Sequence, residues 1–103
     1  RIVFVGDGNN VALSLAHAAV LSDIEFVLSA PKGFSFKEEL LEECMKANPK
    51  AKIKLEPNPK KGVAGAHVVY TDVWASMGQE AEAEERREHF RGYQVNAELM
   101  SLA

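Results

Sequence analysis

Short apolar runs alternate along this chain with stretches of helical periodicity, and each run ends in a polar or glycine-bearing turn. That alternation leaves few folds open. Ile2-Val3-Phe4-Val5 is continuous, closes at Gly6, and suits a central strand buried on both faces. Val11, Leu15, Ala18 and Ala19 then recur at helical spacing, which predicts a helix over 10–22 with Asn9 or Asn10 as its N-cap. A second strand is expected over 24–28, broken by Ala30-Pro31-Lys32-Gly33. Ser35 with Glu38 has the capping-box form. Leu40, Leu41, Cys44 and Met45 make an apolar stripe on the helix that follows, and Asn48-Pro49 ends it. Residues 51–55 alternate polar and apolar, the pattern of a half-exposed edge strand. Asn58-Pro59 pairs an N-cap with a first-turn proline, opening a short helix to about Ala64 that Gly65 stops. His67-Val68-Val69-Tyr70-Thr71 reads as part of a buried fourth strand over 68–73. Residues 79–91 read as a solvated helix with acids leading and bases trailing, anchored at its end by Phe90 and Tyr93. Asn96 caps a last helical stretch.

The repeating β-α unit implies an α/β fold: a three-layer αβα, Rossmann-like sheet of four parallel strands with right-handed crossovers. The expected order is 3-2-1-4. Winding then changes direction between strands 1 and 4, and the turns after those two strands lie side by side. Open α/β sheets bind ligands at such a switch point. One turn is Gly6-Asp7-Gly8-Asn9-Asn10 and the other is Asp72-Val73-Trp74-Ala75-Ser76-Met77-Gly78.

Composition narrows the function classes. A chain of 103 residues makes one domain, and 47% hydrophobic residues suffice for a core. The net charge is −3, and the one lysine-rich stretch, 46–61, is spread along a surface and mixed with Glu56, so nucleic acid is not an expected partner. No apolar run reaches membrane-spanning length, and no signal-peptide pattern is present. Cys44 is alone and reads as a small core residue. His17, His67 and His89 have no ligand spacing, so no metal site is expected. Both ends of the sequence look cut from a longer protein.

Three phosphate-site readings fail on their motifs. Gly6-Asp7-Gly8-Asn9-Asn10-Val11 lacks the third glycine of a dinucleotide loop, and Leu28-Ser29-Ala30 has no acid for a ribose hydroxyl. A P-loop lysine is absent, and the third strand ends in Leu55-Glu56-Pro57 rather than a receiver-type acid. No cofactor is expected. The two turns instead offer a carboxylate (Asp72), two amides (Asn9, Asn10), a hydroxyl (Ser76) and open backbone at Gly78. A carboxylate matches an ammonium group, and amide N–H groups match a carboxylate, so the set suits a small zwitterion.

Gly6-Asp7-Gly8-Asn9-Asn10, Pro31-Lys32-Gly33, Thr71-Asp72-Val73-Trp74 with Ser76-Met77-Gly78-Gln79-Glu80, and Tyr93-Gln94-Val95-Asn96 resemble ornithine carbamoyltransferase. The resemblance runs through all 103 residues and corresponds to that family's second, ornithine-binding domain. It implies the reaction of carbamoyl phosphate with ornithine to give citrulline and phosphate. By position, Asn10, Asp72, Ser76 and Met77 (through its backbone) would contact ornithine, with Asn9 and Gly78 as further candidates. The family's Ser-Met-Gly loop closes over its substrate. Its Ser-x-Arg-Thr and His-Pro-x-Gln segments and its His-Cys-Leu-Pro strand do not occur here, so carbamoyl phosphate would need a further domain. No catalytic residue is expected in these 103. Lys32, Arg86, Arg87 and Arg91 are expected on surface turns or helix faces. The resemblance also implies a cytoplasmic protein, or a mitochondrial matrix one in a eukaryotic urea cycle.

The family's His-Cys-Leu-Pro strand should pair alongside strand 4. Without it, strand 4 becomes an apolar edge and a homo-oligomer is expected. The competing expectation is a non-catalytic α/β module that binds a small amino acid or self-associates.

Overall fold

A computed structural model describes residues 1–75 and 80–103. The elements follow the expected alternation: β1 (Ile2–Val5), α1 (Asn10–Leu21), β2 (Phe26–Ser29), α2 (Glu38–Ala47), β3 (Ile53–Leu55), α3 (Pro59–Gly62) and β4 (Val68–Tyr70). A 3₁₀ turn (Glu80–Glu82), α4 (Ala83–His89) and α5 (Ala97–Met100) complete them. The strands form one parallel sheet in the order β3-β2-β1-β4. The expected fold class and strand order are what the structure has.

Strand side chains alternate between two cores, as a pleated strand requires. Phe4, Phe26 and Leu28 face α1 and α2, with Ala12, Ala16, Ala19, Ala30 and Phe36. Val3, Val5 and Val27 face the other way, onto Val63 and Leu99. Burial on both faces explains why β1 and β2 carry no polar alternation. The alanines on α1 let that helix lie close to the sheet. On the other face, a Cβ on Gly62 would stand 3.2 Å from the Ser29 Cβ, so α3 sits nearly as close. Ser29 is fully buried there and its hydroxyl has no partner among the described residues. Cys44 is a core residue, as expected, and burial pushes its thiol pKa up.

Several local expectations hold. Asn9 caps α1 by accepting from the Ala12 N–H, Asn58 caps α3 with Pro59 in its first turn, and Asn96 caps α5. Gly65 adopts φ +74 after α3. Phe90 is fully buried, stacked on Trp74 and edge-on to Tyr93.

Others need correction. Ser35 does not cap α2: the N-cap is Lys37, without a side-chain bond. The chain reaches α2 through the turn at 31–34, where the Phe34 N–H donates to the Pro31 carbonyl and Gly33 has φ +92. That turn gives the approach to α2, and the helix starts two residues later than a Ser35 cap would place it. β4 is not buried. It is three residues long, with Val68 48% and Tyr70 39% exposed, because the described residues put no strand on its outer side. Its apolar composition resembles that of β1, but its place at the edge differs. The helix expected over 79–91 is a 3₁₀ turn followed by a seven-residue α4.

Candidate functional site

β1 and β4 are neighbours, paired from Ile2–Val68 to Phe4–Tyr70. The pairing is prolonged one step by a side chain: the Thr71 hydroxyl donates to the Val5 carbonyl at 2.7 Å. The turn after β1 and the loop after β4 therefore leave the same end of the sheet side by side, as the strand order required.

The first turn is packed tightly from below. The Gly6 N–H donates to the Ser29 carbonyl and the Gly8 N–H to the Phe34 carbonyl. A Cβ on Gly8 would lie 2.7 Å from that Phe34 oxygen, so glycine here is a steric requirement of the 31–34 turn passing beneath. Asn9 spends its amide oxygen on the cap of α1 at 3.1 Å, which leaves its NH₂ without a partner among the described residues. Asn10 opens the helix and is exposed. With Val11, Ser14, Leu15 and Tyr70 it lines an open groove of about 360 Å³ between the start of α1 and β4.

The second turn is looser. Asp72 is half-buried, and its Oδ1 accepts from the Val73 N–H at 2.7 Å. That bond orients the carboxylate and leaves Oδ2 without a partner among the described residues. Ser76, Met77 and Gly78, the remaining expected contacts, lie outside the described residues. The structure thus brings the Asn9-Asn10 turn and the Asp72 loop to adjoining places. The arrangement offers one anion and a set of amide donors, chemistry for holding and aiming a zwitterion. Among the described residues there is no cluster of three or more His, Cys, Asp or Glu that could hold a metal ion. No described helix is long and apolar enough to cross a membrane.

Sequence reasoning missed one buried contact beside the two turns. Arg86, expected on a solvated helix face, turns inward with 12% of its side chain exposed. Its Nη1 donates to Asp7 Oδ2 at 2.9 Å and to the Trp74 carbonyl at 3.1 Å. Its guanidinium lies 5.3 Å from the centre of the Phe34 ring, close enough for a cation–π attraction. A signal for this existed. Arg86 and Phe90 are four residues apart on one helix face, and Phe90 was already an expected anchor. Lying on the anchored face, Arg86 needed a buried anion, and Asp7 is that anion.

Comparison with known proteins follows the same outline. A family described as aspartate/ornithine carbamoyltransferase, Asp/Orn binding domain, matches residues 1–103. The chain is 47% identical over its whole length to the chloroplastic ornithine carbamoyltransferase of Pisum sativum, covering 27% of that protein. It is equally identical to the anabolic ornithine carbamoyltransferase of Pyrococcus furiosus, covering 33% of it. Among solved structures, the Pyrococcus furiosus ornithine carbamoyltransferase superposes with a TM-score of 0.86 at 46% identity, over 99% of this chain and 33% of that one. The anabolic enzyme of Campylobacter jejuni gives 0.93 at 32% identity, over 100% of this chain and 35% of that one. The chain spans about a third of the length of the relatives it matches.

Proposed function

The chain belongs to the aspartate/ornithine carbamoyltransferase family, and on that footing we propose that it is the ornithine-binding domain of an ornithine carbamoyltransferase. The reaction is attack of the ornithine δ-amine on the carbonyl carbon of carbamoyl phosphate, with phosphate leaving and citrulline formed. The observation that carries the ornithine reading is the placing of Asp72 at the sheet's switch point, beside the Asn9-Asn10 turn.

In this reading the Asp72 carboxylate takes the α-ammonium of ornithine. The amide of Asn10, with that of Asn9 behind it, takes the α-carboxylate near the positive end of α1. Ser76, the Met77 backbone and Gly78 complete the grip. The amino-acid end is then fixed and the δ-amine is aimed outward. Holding a nucleophile in line with its target is itself a large catalytic effect. In this reading these residues hold and aim ornithine rather than take part in bond making. Carbamoyl phosphate needs a second domain, since the family's phosphate-binding segments do not occur in these residues. The anabolic names among its relatives support a place in arginine synthesis.

The test is substitution of Asp72 in a full-length carbamoyltransferase carrying this chain as its Asp/Orn-binding domain. Asp72→Asn is expected to weaken ornithine binding by about 1.5–3 kcal/mol, the worth of a hydrogen bond to a charged group, and so raise its KM roughly tenfold or more. KM for carbamoyl phosphate should hardly move. An ornithine KM left at its original value would return Asp72 to the role of a loop cap. The 103-residue chain alone should form no citrulline.

A second reading, self-association, is favoured by the β4 edge, where Val68 and Tyr70 are partly exposed. Light scattering on the 103-residue chain is expected to give a mass above that of the monomer, rising with concentration. A constant monomeric mass would remove this reading.

A further inference from the structure

We propose that Arg86 is a positioning residue for ornithine: it fastens the Asp72 loop to the Asp7 turn and so sets the spacing between the two halves of the site. The proposal deepens the ornithine reading and rests on it. Residues 72–75 follow the last paired residues of β4, and among the described residues no backbone hydrogen bond ties them to the rest of the chain. Their one described hydrogen bond to another element is the one that the Trp74 carbonyl accepts from Arg86 at 3.1 Å. The same nitrogen, Nη1, donates to Asp7 Oδ2 at 2.9 Å. Trp74 lies two residues after Asp72, and Asp7 two residues before Asn9. A single guanidinium nitrogen therefore bridges the segment that presents the carboxylate and the segment that presents the amides.

The geometry is held from three further directions. Nε faces Glu82 one helical turn back at 3.4 Å. The Phe34 ring lies under the guanidinium at 5.3 Å. The Trp74 indole stacks on Phe90 with 7° between the planes and 5.9 Å between centroids. Asp7 and Arg86 are each about nine-tenths buried, at 11% and 12% side-chain exposure, so water competes little for either partner. Asp7 faces inward to Arg86, so its role is to orient the arginine.

Three variants in the full-length enzyme test this: Arg86→Met, Arg86→Lys and Asp7→Asn. Arg86→Met removes charge and donors together, and should raise the ornithine KM on the order of tenfold while the carbamoyl phosphate KM stays within about twofold. Lysine keeps a charged nitrogen with three donors on a shorter stem, and should recover most of that loss. Asp7→Asn should raise the ornithine KM in the same direction, and combined with Arg86→Met it should add less than the sum of the two, as coupled partners do. A variant that melts earlier with an unchanged ornithine KM would overturn the proposal and leave Arg86 a role in stability alone. Equal rises in both KM values would overturn it too. Where Arg86→Met does not fold, Asp7→Asn decides. An unaltered enzyme that makes no citrulline would remove the ornithine reading, and this inference with it. Citrulline formation with an ornithine KM indifferent to all three variants would remove only the inference.

Discussion

The turn after β1 and the loop after β4 leave adjacent strands at the same end of the sheet, yet the molecule holds them in different ways. The β1 turn belongs to the core. Its strand is covered on both faces, Gly8 is pressed against the Phe34 carbonyl, and Asn9 is committed to capping α1. The β4 loop follows an edge strand with half-exposed side chains, and Arg86 reaches across to hold it at Trp74. One half of the site is thus built into the fold and the other is attached to it. Under the proposed function, such a division suits a flexible amino acid: a rigid surface would fix one end, and a tethered segment would meet the other.

The contrast is open to breaking first at Phe4 and Tyr70, register partners whose rings stack at 5.4 Å. Phe4 is fully buried, and Phe4→Ala should cost about 3–5 kcal/mol by chemical denaturation. Tyr70→Ala should cost only about 1–2 kcal/mol, since one side of the ring already faces water and the stacking is the main loss. Equal losses would mean that β4 is as integral as β1. A smaller effect is expected at the turns themselves. Gly8→Ala should cost about 1–3 kcal/mol, because the new methyl group meets backbone that cannot swing away. Val73→Ala, at a side chain 60% exposed, should stay within about 0.5 kcal/mol in the same assay.

A small effect is also expected at the opposite end of the sheet, which sharpens the comparison by showing what an ion pair contributes with more water around it. Arg1 donates to both carboxylate oxygens of Glu25, and that hydrogen bonding holds the Glu25 carboxyl below its ordinary pKa. A depressed carboxylate stabilises the fold at pH above its unfolded value, and the contribution fades as pH falls through the lower folded value. With side chains about 30% exposed, the pair should contribute no more than about 1 kcal/mol. Thermal melts of the parent chain and Glu25→Gln should differ slightly at neutral pH and converge in acid. A gap that persists in acid would assign the effect to packing.

The features readable in advance were those with short-range causes. Asn9, Asn58 and Asn96 were legible as caps because an N-cap is made within three residues. The 3-2-1-4 order was legible because right-handed crossovers between parallel strands leave few arrangements. Ser35 misled because its match to a capping box is local, while the 31–34 turn and the packing of Phe34 beneath Gly8 place the start of α2. That the turns after β1 and β4 leave neighbouring strands was legible from the same strand order. The inward turn of Arg86 had a signal in its spacing to Phe90, but its partner Asp7 was not legible, because it lies 79 residues away.

Composition, spacing and turn chemistry therefore determine that this chain is a parallel α/β sheet whose two polar turns adjoin. The family rests instead on the resemblance of motifs spread along the chain and on a match over residues 1–103. Burial is another matter. β1 and β4 are both apolar and β-branched, and nothing within either strand tells which has a neighbour on each side. Only the assembled sheet exposes Val68 and Tyr70 while hiding Val3 and Phe4. The same holds for charge: Arg86 and Arg91 look alike in sequence, but Arg86 lies inside, against Asp7, while Arg91 meets Glu88 in water. A side chain's worth depends on what the fold brings beside it, and for these residues the partners and neighbours come from distant parts of the chain.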